Sequence, residues 1–415
     1  MSTGSRRRCA GRTALALAGG GPIGAIYEIG ALRALEEAIE GLDLNDLCHY
    51  VGVSSGAFLA ACLANGLTTA QLCRSIVKQE PGEHPFVPET FLTPAVDSIV
   101  RGATRVPRLV LEALNAYLKN PRDLSFVESL TRLARALPVG VLRNEPIADF
   151  LQRIFSIKGR TDDFRKLDRR LIVVATDLDA ARPVLFGEPG MDHVPISKAV
   201  QASTALPGVY PPVLIEGRYY VDGVLLKTVH GSAALEEGAS LLLAINPIVP
   251  VDTFQAVELG VLESDHLVER GLPAIMAQTL RTIIHARAVQ GFASYRTRYP
   301  DADVLIFEPH RNDYRMFFIN VFSFAARKEI CDHAYRSVRR QLREREREIE
   351  PVLRRHGYRL DTDCLADEER SVWRSVGLGD DLEPLEPPAP RPVRHTVADR
   401  LEEALARLEA VVDLD

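Results

Sequence analysis

A serine stands between glycines in Gly52-Val53-Ser54-Ser55-Gly56, where a short apolar run gives way to small residues. At the tip of a sharp strand-to-helix turn a serine hydroxyl is exposed and strained, which is how acyl hydrolases present a nucleophile. A second glycine-framed turn, Gly19-Gly20-Gly21-Pro22-Ile23-Gly24, lies upstream in the same kind of setting. Adjacent backbone N–H groups at a helix start can hold the oxyanion that attack on an ester creates. One turn offers a hydroxyl and the other offers donors, so the chemistry the pair suits is acyl transfer.

A serine hydroxyl needs a base. Asp222, in Val221-Asp222-Gly223, arrives at the end of an apolar run, and Gly223 leaves room for close backbone approach. It can act directly on Ser54, or a histidine can complete a triad. His230 and His310 both follow the acid, the Ser, Asp, His order of hydrolases built on a parallel sheet, and the residues alone leave that choice open. Two competing readings fare worse. Gly19, Gly21 and Gly24 also spell the glycine pattern of a dinucleotide site, but that site needs an acid at the end of the second strand, where this chain has Val53-Ser54-Ser55-Gly56. Ser54 as a mere helix cap is the plain alternative, and the strand before it together with the matching turn upstream favours the nucleophile.

These residues need a scaffold, and the periodicity supplies one. Thr13 to Ala18 reads as a buried strand, followed after the glycines by Ile26, Ile29, Leu32, Leu35 and Ile39 at helical spacing. Tyr50 to Val53 is a second strand and Ala57 to Ala64 a small-residue helix stopped at Asn65-Gly66. The repeated strand, turn, helix order implies a parallel sheet covered on both faces. It resumes with Arg170 to Thr176, Val184 to Phe186, Leu241 to Ile245 and Val304 to Phe307, while Arg218 to Val221 delivers Asp222. Between Glu80 and Asn144 prolines punctuate amphipathic stretches such as Leu109 to Leu118, which reads as a helical lid or as helical padding of the sheet. In the lid reading Leu109, Val110, Leu114 and Leu118 wall an acyl chain.

Past Phe322 a helix carries Arg336, Arg339, Arg340, Arg343, Arg345 and Arg347 among glutamates and reads as a solvated face in preference to an anionic-surface contact. Pro384 to Pro392 is a proline-rich linker, and Val397, Leu401, Ala404, Leu405, Leu408 and Val411 make an amphipathic stripe suited to docking on the chain's own domain or on a twin, so a homo-oligomer is allowed. The 415 residues, 46% hydrophobic, carry a net charge of −6, which gives no sign of a nucleic-acid partner. Six cysteines without Cys-x-x-Cys spacing read as reduced thiols of a cytoplasmic protein, with no metal site. The apolar run after Arg6-Arg7-Arg8 is shorter than a secretory signal needs, and no stretch is long enough to span a bilayer, so any membrane contact is expected to be peripheral.

Gly19-Gly20-Gly21 with Gly24, then Gly52-Val53-Ser54-Ser55-Gly56, Ala205-Leu206-Pro207-Gly208 and Asp222-Gly223-Val224, in this order, resemble the patatin-like phospholipase family over roughly residues 13 to 310. The resemblance implies a three-layer α/β/α sandwich with a mainly parallel central sheet. It implies a Ser54–Asp222 dyad without histidine, an oxyanion hole from the N–H groups around Gly20 and Gly21, a lipid or other acyl-ester substrate, and no cofactor. The domain expectation is a catalytic unit over 10–320 with the insertion at 80–145, a helical extension over 321–380, a linker over 381–394 and a helix over 395–415. Two positions depart from the family pattern: Ile23 stands where Arg or Lys is usual, and Val224 where Gly or Ala is usual. Neither touches the dyad. The alternative function is a binding or regulatory protein on the same fold, which the intact Ser54 and Asp222 argue against.

Overall fold

Runs of leucine, valine, isoleucine and alanine with little polar alternation form strands covered on both faces, and five such runs build the centre of this molecule. They are β1 (Thr13–Leu17), β3 (His49–Val53), β4 (Arg170–Asp177), β8 (Leu241–Ile245) and β9 (Asp303–Phe307). A computed structural model describes residues 12–77, 93, 95, 139–250, 252–258, 266–310, 313 and 324–379. Within it β1 pairs in parallel with β3 and β8, β3 with β4, and β8 with β9. Three shorter strands, β5 (Arg182–Phe186), β6 (Val213–Ile215) and β7 (Arg218–Asp222), add antiparallel pairings to give the order β6-β7-β4-β3-β1-β8-β9, with β5 also on β4. The sheet is mixed but mostly parallel, as the sequence implies.

Alternate residues of each strand enter different cores. Leu15, Leu17, Tyr50 and Leu243 pack under α1 (Gly21–Ala38), α2 (Ser55–Ala64), α3 (Glu145–Phe155) and α4 (Ile196–Ser203). On the other face Ala14, Ala16, Val51 and Leu242 lie against Val229 to Ala239 and α5 (Gly271–Arg298). With helices on both faces, this is a three-layer α/β/α sandwich.

α6 (Phe324–Glu344) packs along α1, so closely that a side chain at Gly30 would stand 2.2 Å from the Cys331 carbonyl oxygen. Ile330, Tyr335, Val338 and Trp373 share one core with Ile29 and Leu32, and β10 (Arg359–Leu360) pairs with β2 (Ile39–Glu40). The arginine row on α6 is solvated only in part. Arg336 pairs with Asp332 one turn back at 2.7 Å, whereas Arg339 is buried 3.8 Å from the Glu37 carboxylate and donates to the Cys364 and Asp367 carbonyls.

Most of the expected insertion at 80–145, including Leu109, Val110, Leu114 and Leu118, lies outside the described residues, as do 381–394 and 395–415. Among the described residues no helix is long and apolar enough to cross a membrane.

Candidate active site

β3 ends at Val53, and the chain reverses at once into α2 with Ser54 at the corner. Ser54 has φ 54° and ψ −124°, one of few non-glycine residues here with positive φ. Such a conformation costs on the order of 1–3 kcal/mol and persists only where the surroundings hold it. Three contacts hold it. The Ser54 N–H donates to Ser203 Oγ at 2.8 Å, and Ser203 Oγ donates in turn to the Val174 carbonyl at 2.6 Å. The Gly56 N–H donates to the Ala18 carbonyl at 3.1 Å, tying the start of α2 to the end of β1. Ser203 is fully buried and lies on α4, a fastener that no motif in the sequence announces.

The glycines flanking Ser54 are required by this close approach. A Cβ on Gly56 would lie 2.4 Å from the Ala18 oxygen and 2.5 Å from the Leu17 oxygen, and one on Gly52 would lie 2.4 Å from Ala57 Cα. Both clashes are with backbone that cannot yield without moving the sheet. Gly56→Ala is therefore expected to cost about 3 kcal/mol or more, read as a lowered denaturation midpoint relative to the wild-type chain.

Asp222 reaches the same corner from the far side of β4. Register explains how: Val174 of β4 is opposite Val53, and the next residue, Ala175, is opposite Asp222, so Asp222 is level with Ser54 across one intervening strand. Its N–H donates to the Ala205 carbonyl at 3.0 Å, and its own carbonyl accepts from Thr176 Oγ1 at 3.1 Å. A tight turn over Gly223–Leu225 follows, packed so closely on β4 that a Cβ on Gly223 would lie 2.4 Å from the Val174 oxygen. The Val224 N–H donates to Asp222 Oδ1 at 2.9 Å, and the Ser54 hydroxyl is near enough to the carboxylate to act on its pKa.

Burial dominates the electrostatics. Asp222 is 2% exposed, and loss of water pushes its pKa up from 3.8 to about 7 against the lowering pull of the Ser54 hydroxyl and the Val224 N–H. A carboxylate that titrates near neutrality is a usable proton acceptor, which an exposed aspartate is not. No histidine figures among the groups acting on Asp222. His230 is itself buried, with its pKa pushed down to about 3 chiefly by burial and then by Lys227.

The glycine turn closes the third side. A Cβ on Gly19 would stand 3.0 Å from Ser54 Cβ, 3.4 Å from Val224 Cγ2 and 3.6 Å from Ser54 Oγ, so the turn passes directly beside the hydroxyl. Gly20 and Gly24 are pressed against Pro247 and each other, and the Gly24 N–H donates to the Gly20 carbonyl at 3.0 Å. Gly20 caps α1 and Gly21 (φ 61°) starts it. The first N–H groups of any helix have no intrahelical partner, and Pro22 carries none, which leaves the N–H groups of Gly20, Gly21 and Ile23 outside the helix's own ladder. Ser55 Oγ is buried next to Gly24 and has no hydrogen-bond partner among the described residues. Of the two departures, Ile23 packs its side chain against the core, and Val224 fills the space beside Gly19. Among the described residues no cluster of His, Cys, Asp or Glu could hold a metal ion.

Ser54, Asp222, Val224 and the turn at Gly19 thus lie at one corner of the sheet. Comparison with known proteins adds a family match: residues 15–230, more than half of the chain, fit the family described as Patatin-like phospholipase. The chain is similar to a probable lipid hydrolase, 463L, of Invertebrate iridescent virus 6, with 22% identity over 204 residues covering 49% of this chain and 57% of that protein. It is similar also to the uncharacterized protein R571 of Acanthamoeba polyphaga mimivirus, with 24% identity over 212 residues covering 50% of this chain and 57% of that protein. The matched stretch therefore spans less than two thirds of either viral relative. Among solved structures, VipD from Legionella pneumophila overlaps with a TM-score of 0.36 and 14% identity, covering 81% of this chain and 67% of that one. The type III effector ExoU of Pseudomonas aeruginosa gives 0.34 and 17%, covering 81% and 53%.

Proposed function

Because the chain belongs to the patatin-like phospholipase family, we propose that it cleaves acyl esters of lipids with Ser54 as nucleophile and Asp222 as its base. The observation that carries this reading is the register that brings a buried Asp222 level with Ser54 across one strand, close enough for the hydroxyl to act on the carboxylate, at a backbone corner held in a strained conformation. The name of the iridescent-virus relative, a probable lipid hydrolase, points the same way.

In the proposed reaction Asp222 takes the Ser54 proton as the oxygen attacks the ester carbonyl. The negative charge forming on the carbonyl oxygen is met by the main-chain N–H groups at the start of α1, and removing one such donor typically costs about 2.7–4 kcal/mol of transition-state stabilisation. The proton passes to the departing alcohol, leaving an acyl group on Ser54. Asp222 then takes a proton from water, the hydroxide frees the acid, and the proton returns to Ser54. The Val224 N–H, held on Oδ1, keeps one carboxylate oxygen occupied, and in this reading the other serves the serine.

The base must be ionised to work, so kcat/KM on a soluble chromogenic short-chain ester is expected to rise with pH through about 7, the pKa burial gives Asp222, and to level off above it. A profile controlled by a group near 4 would contradict that assignment. A dyad also dispenses with imidazole: His230→Ala and His310→Ala should each leave kcat within about threefold, and loss of the chemical step in either would restore the triad.

A further inference from the structure

α5 is too long for the layer it belongs to. It links β8 to β9, which are parallel, so it runs back along the sheet from the strands' C-terminal ends, where Ser54 lies, to their starts. Its 28 residues extend about 42 Å, against roughly 17 Å for a five-residue strand. The overlap with the sheet is taken up by the second half: Ile284, Ala288 and Tyr295 are buried there. The hydrogen bonds fix the alignment. Tyr299 donates to Glu236, Tyr295 to the Val229 carbonyl, Thr228 to the Ile284 carbonyl, and Arg287 to the Leu225 carbonyl, three residues past Asp222. Residue 284 is thus near the level of the Asp222 turn, and 271–283 run on for about 20 Å beyond it.

That projecting half is apolar on its outer side. Leu272 is 69% exposed, Met276 58% and Ile283 51%, at spacings of four and seven that put them on one stripe, roughly 100–140° round the helix from the buried Ile284 and Ala288; Ile275 flanks the stripe. A helix apolar on both sides belongs in an interior, and large exposed apolar patches mark interaction sites. Towards the site the helix carries Arg281 and Arg287 and no aspartate or glutamate, with Arg270 and Glu269 in the turn before it; Arg298, at the far end, pairs with Glu236 at 3.8 Å, and His285 is buried.

We infer that residues 271–283 dock the protein on a lipid surface: Leu272, Met276 and Ile283 enter the acyl boundary of an anionic bilayer and bring the Ser54 corner to its substrate. Apolar stripe, Arg281 and Arg287 at the site end and attachment to the base-bearing turn fit that occupant together, whereas a second copy or a segment of the chain itself would have no use for two arginines beside the site. The inference rests on the lipid-ester reading for its purpose, but not for its test.

The full-length protein would be floated with phosphatidylcholine vesicles, with and without phosphatidylglycerol. The wild-type chain should float, more so with the anionic lipid. The triple variant Leu272→Glu, Met276→Glu, Ile283→Glu should lose vesicle binding at least about tenfold and lose turnover of vesicle lipid, while its hydrolysis of a soluble short-chain ester and its melting stay as in wild type. Met276→Trp should show emission quenched by brominated lipid. A wild-type chain that stays unbound, a triple variant that floats undiminished, or one whose only change is in oligomeric state would overturn the inference. Ser54→Ala should float as wild type does. Vesicle binding that depends on Leu272, Met276 and Ile283 in a chain with no esterase activity would uphold the surface and sink the hydrolase reading instead.

Discussion

Ser54→Ala is expected to reduce kcat/KM on a chromogenic ester by about 10⁴-fold or more, the scale on which removing a serine nucleophile acts in hydrolases with an intact oxyanion site. Folding should survive. The strained corner is imposed by Gly56 on the Ala18 carbonyl and by Ser203 on the Ser54 N–H, and both contacts are to backbone atoms that the substitution keeps. Alanine carries the same Cβ, so the crowding beside Gly19 is unchanged. The denaturation midpoint should therefore move by no more than about 1 kcal/mol, measured by chemical unfolding alongside the kinetics. Loss of both activity and fold would mean that the hydroxyl itself holds the turn, contrary to the contacts just named.

Asp222→Asn separates activity from stability in a way few substitutions do. An amide cannot take a proton from Ser54, so hydrolysis should fall by about 10³-fold or more. Stability should move the other way, in a pH-dependent manner. Burial lifts the folded pKa of Asp222 to about 7 from 3.8. Between those values the folded chain keeps a proton that the unfolded chain has released. The stability this group contributes is thus complete below pH 3.8 and is lost as pH rises through 7. Above that pH the wild-type chain carries a buried ionised carboxylate, and Asn does not. Unfolding of the two chains compared at pH 5 and pH 8 should show the variant gaining on wild type by up to about 2.5 kcal/mol at the higher pH. Equal differences at both values would mean Asp222 titrates as an ordinary exposed acid and is no base.

Much of this site was legible because its residues obey local rules. A glycine on each side of a serine after an apolar strand specifies a turn too tight for other residues, and Gly52 and Gly56 both meet backbone at 2.4 Å. The strands β3, β4, β8 and β9 were readable to within a residue or so because they are covered on both faces and so lack polar alternation. Ser203 was not legible, because a buried serine bridging the Ser54 N–H to the Val174 carbonyl is defined by residues far away in sequence. The short strand β6 escaped for the same reason, being an edge strand whose three residues pair only with β7. The projecting half of α5 was hidden by its own composition: apolar on two sides, it has no single stripe for periodicity to find. Nor does a basic row tell which arginine will be buried. Arg339 sits three residues from Arg336 and Arg343 two turns on, yet only Arg339 faces Glu37.

The most direct test is the rate at which a fluorophosphonate modifies the protein, followed by mass spectrometry of the peptide containing Ser54. Wild type should be modified once, at Ser54, with a rate that climbs through pH 7, while Asp222→Asn reacts at least about 10²-fold more slowly at every pH. Modification elsewhere, or Ser54 reacting equally fast without Asp222, would contradict the pairing of this serine with this carboxylate.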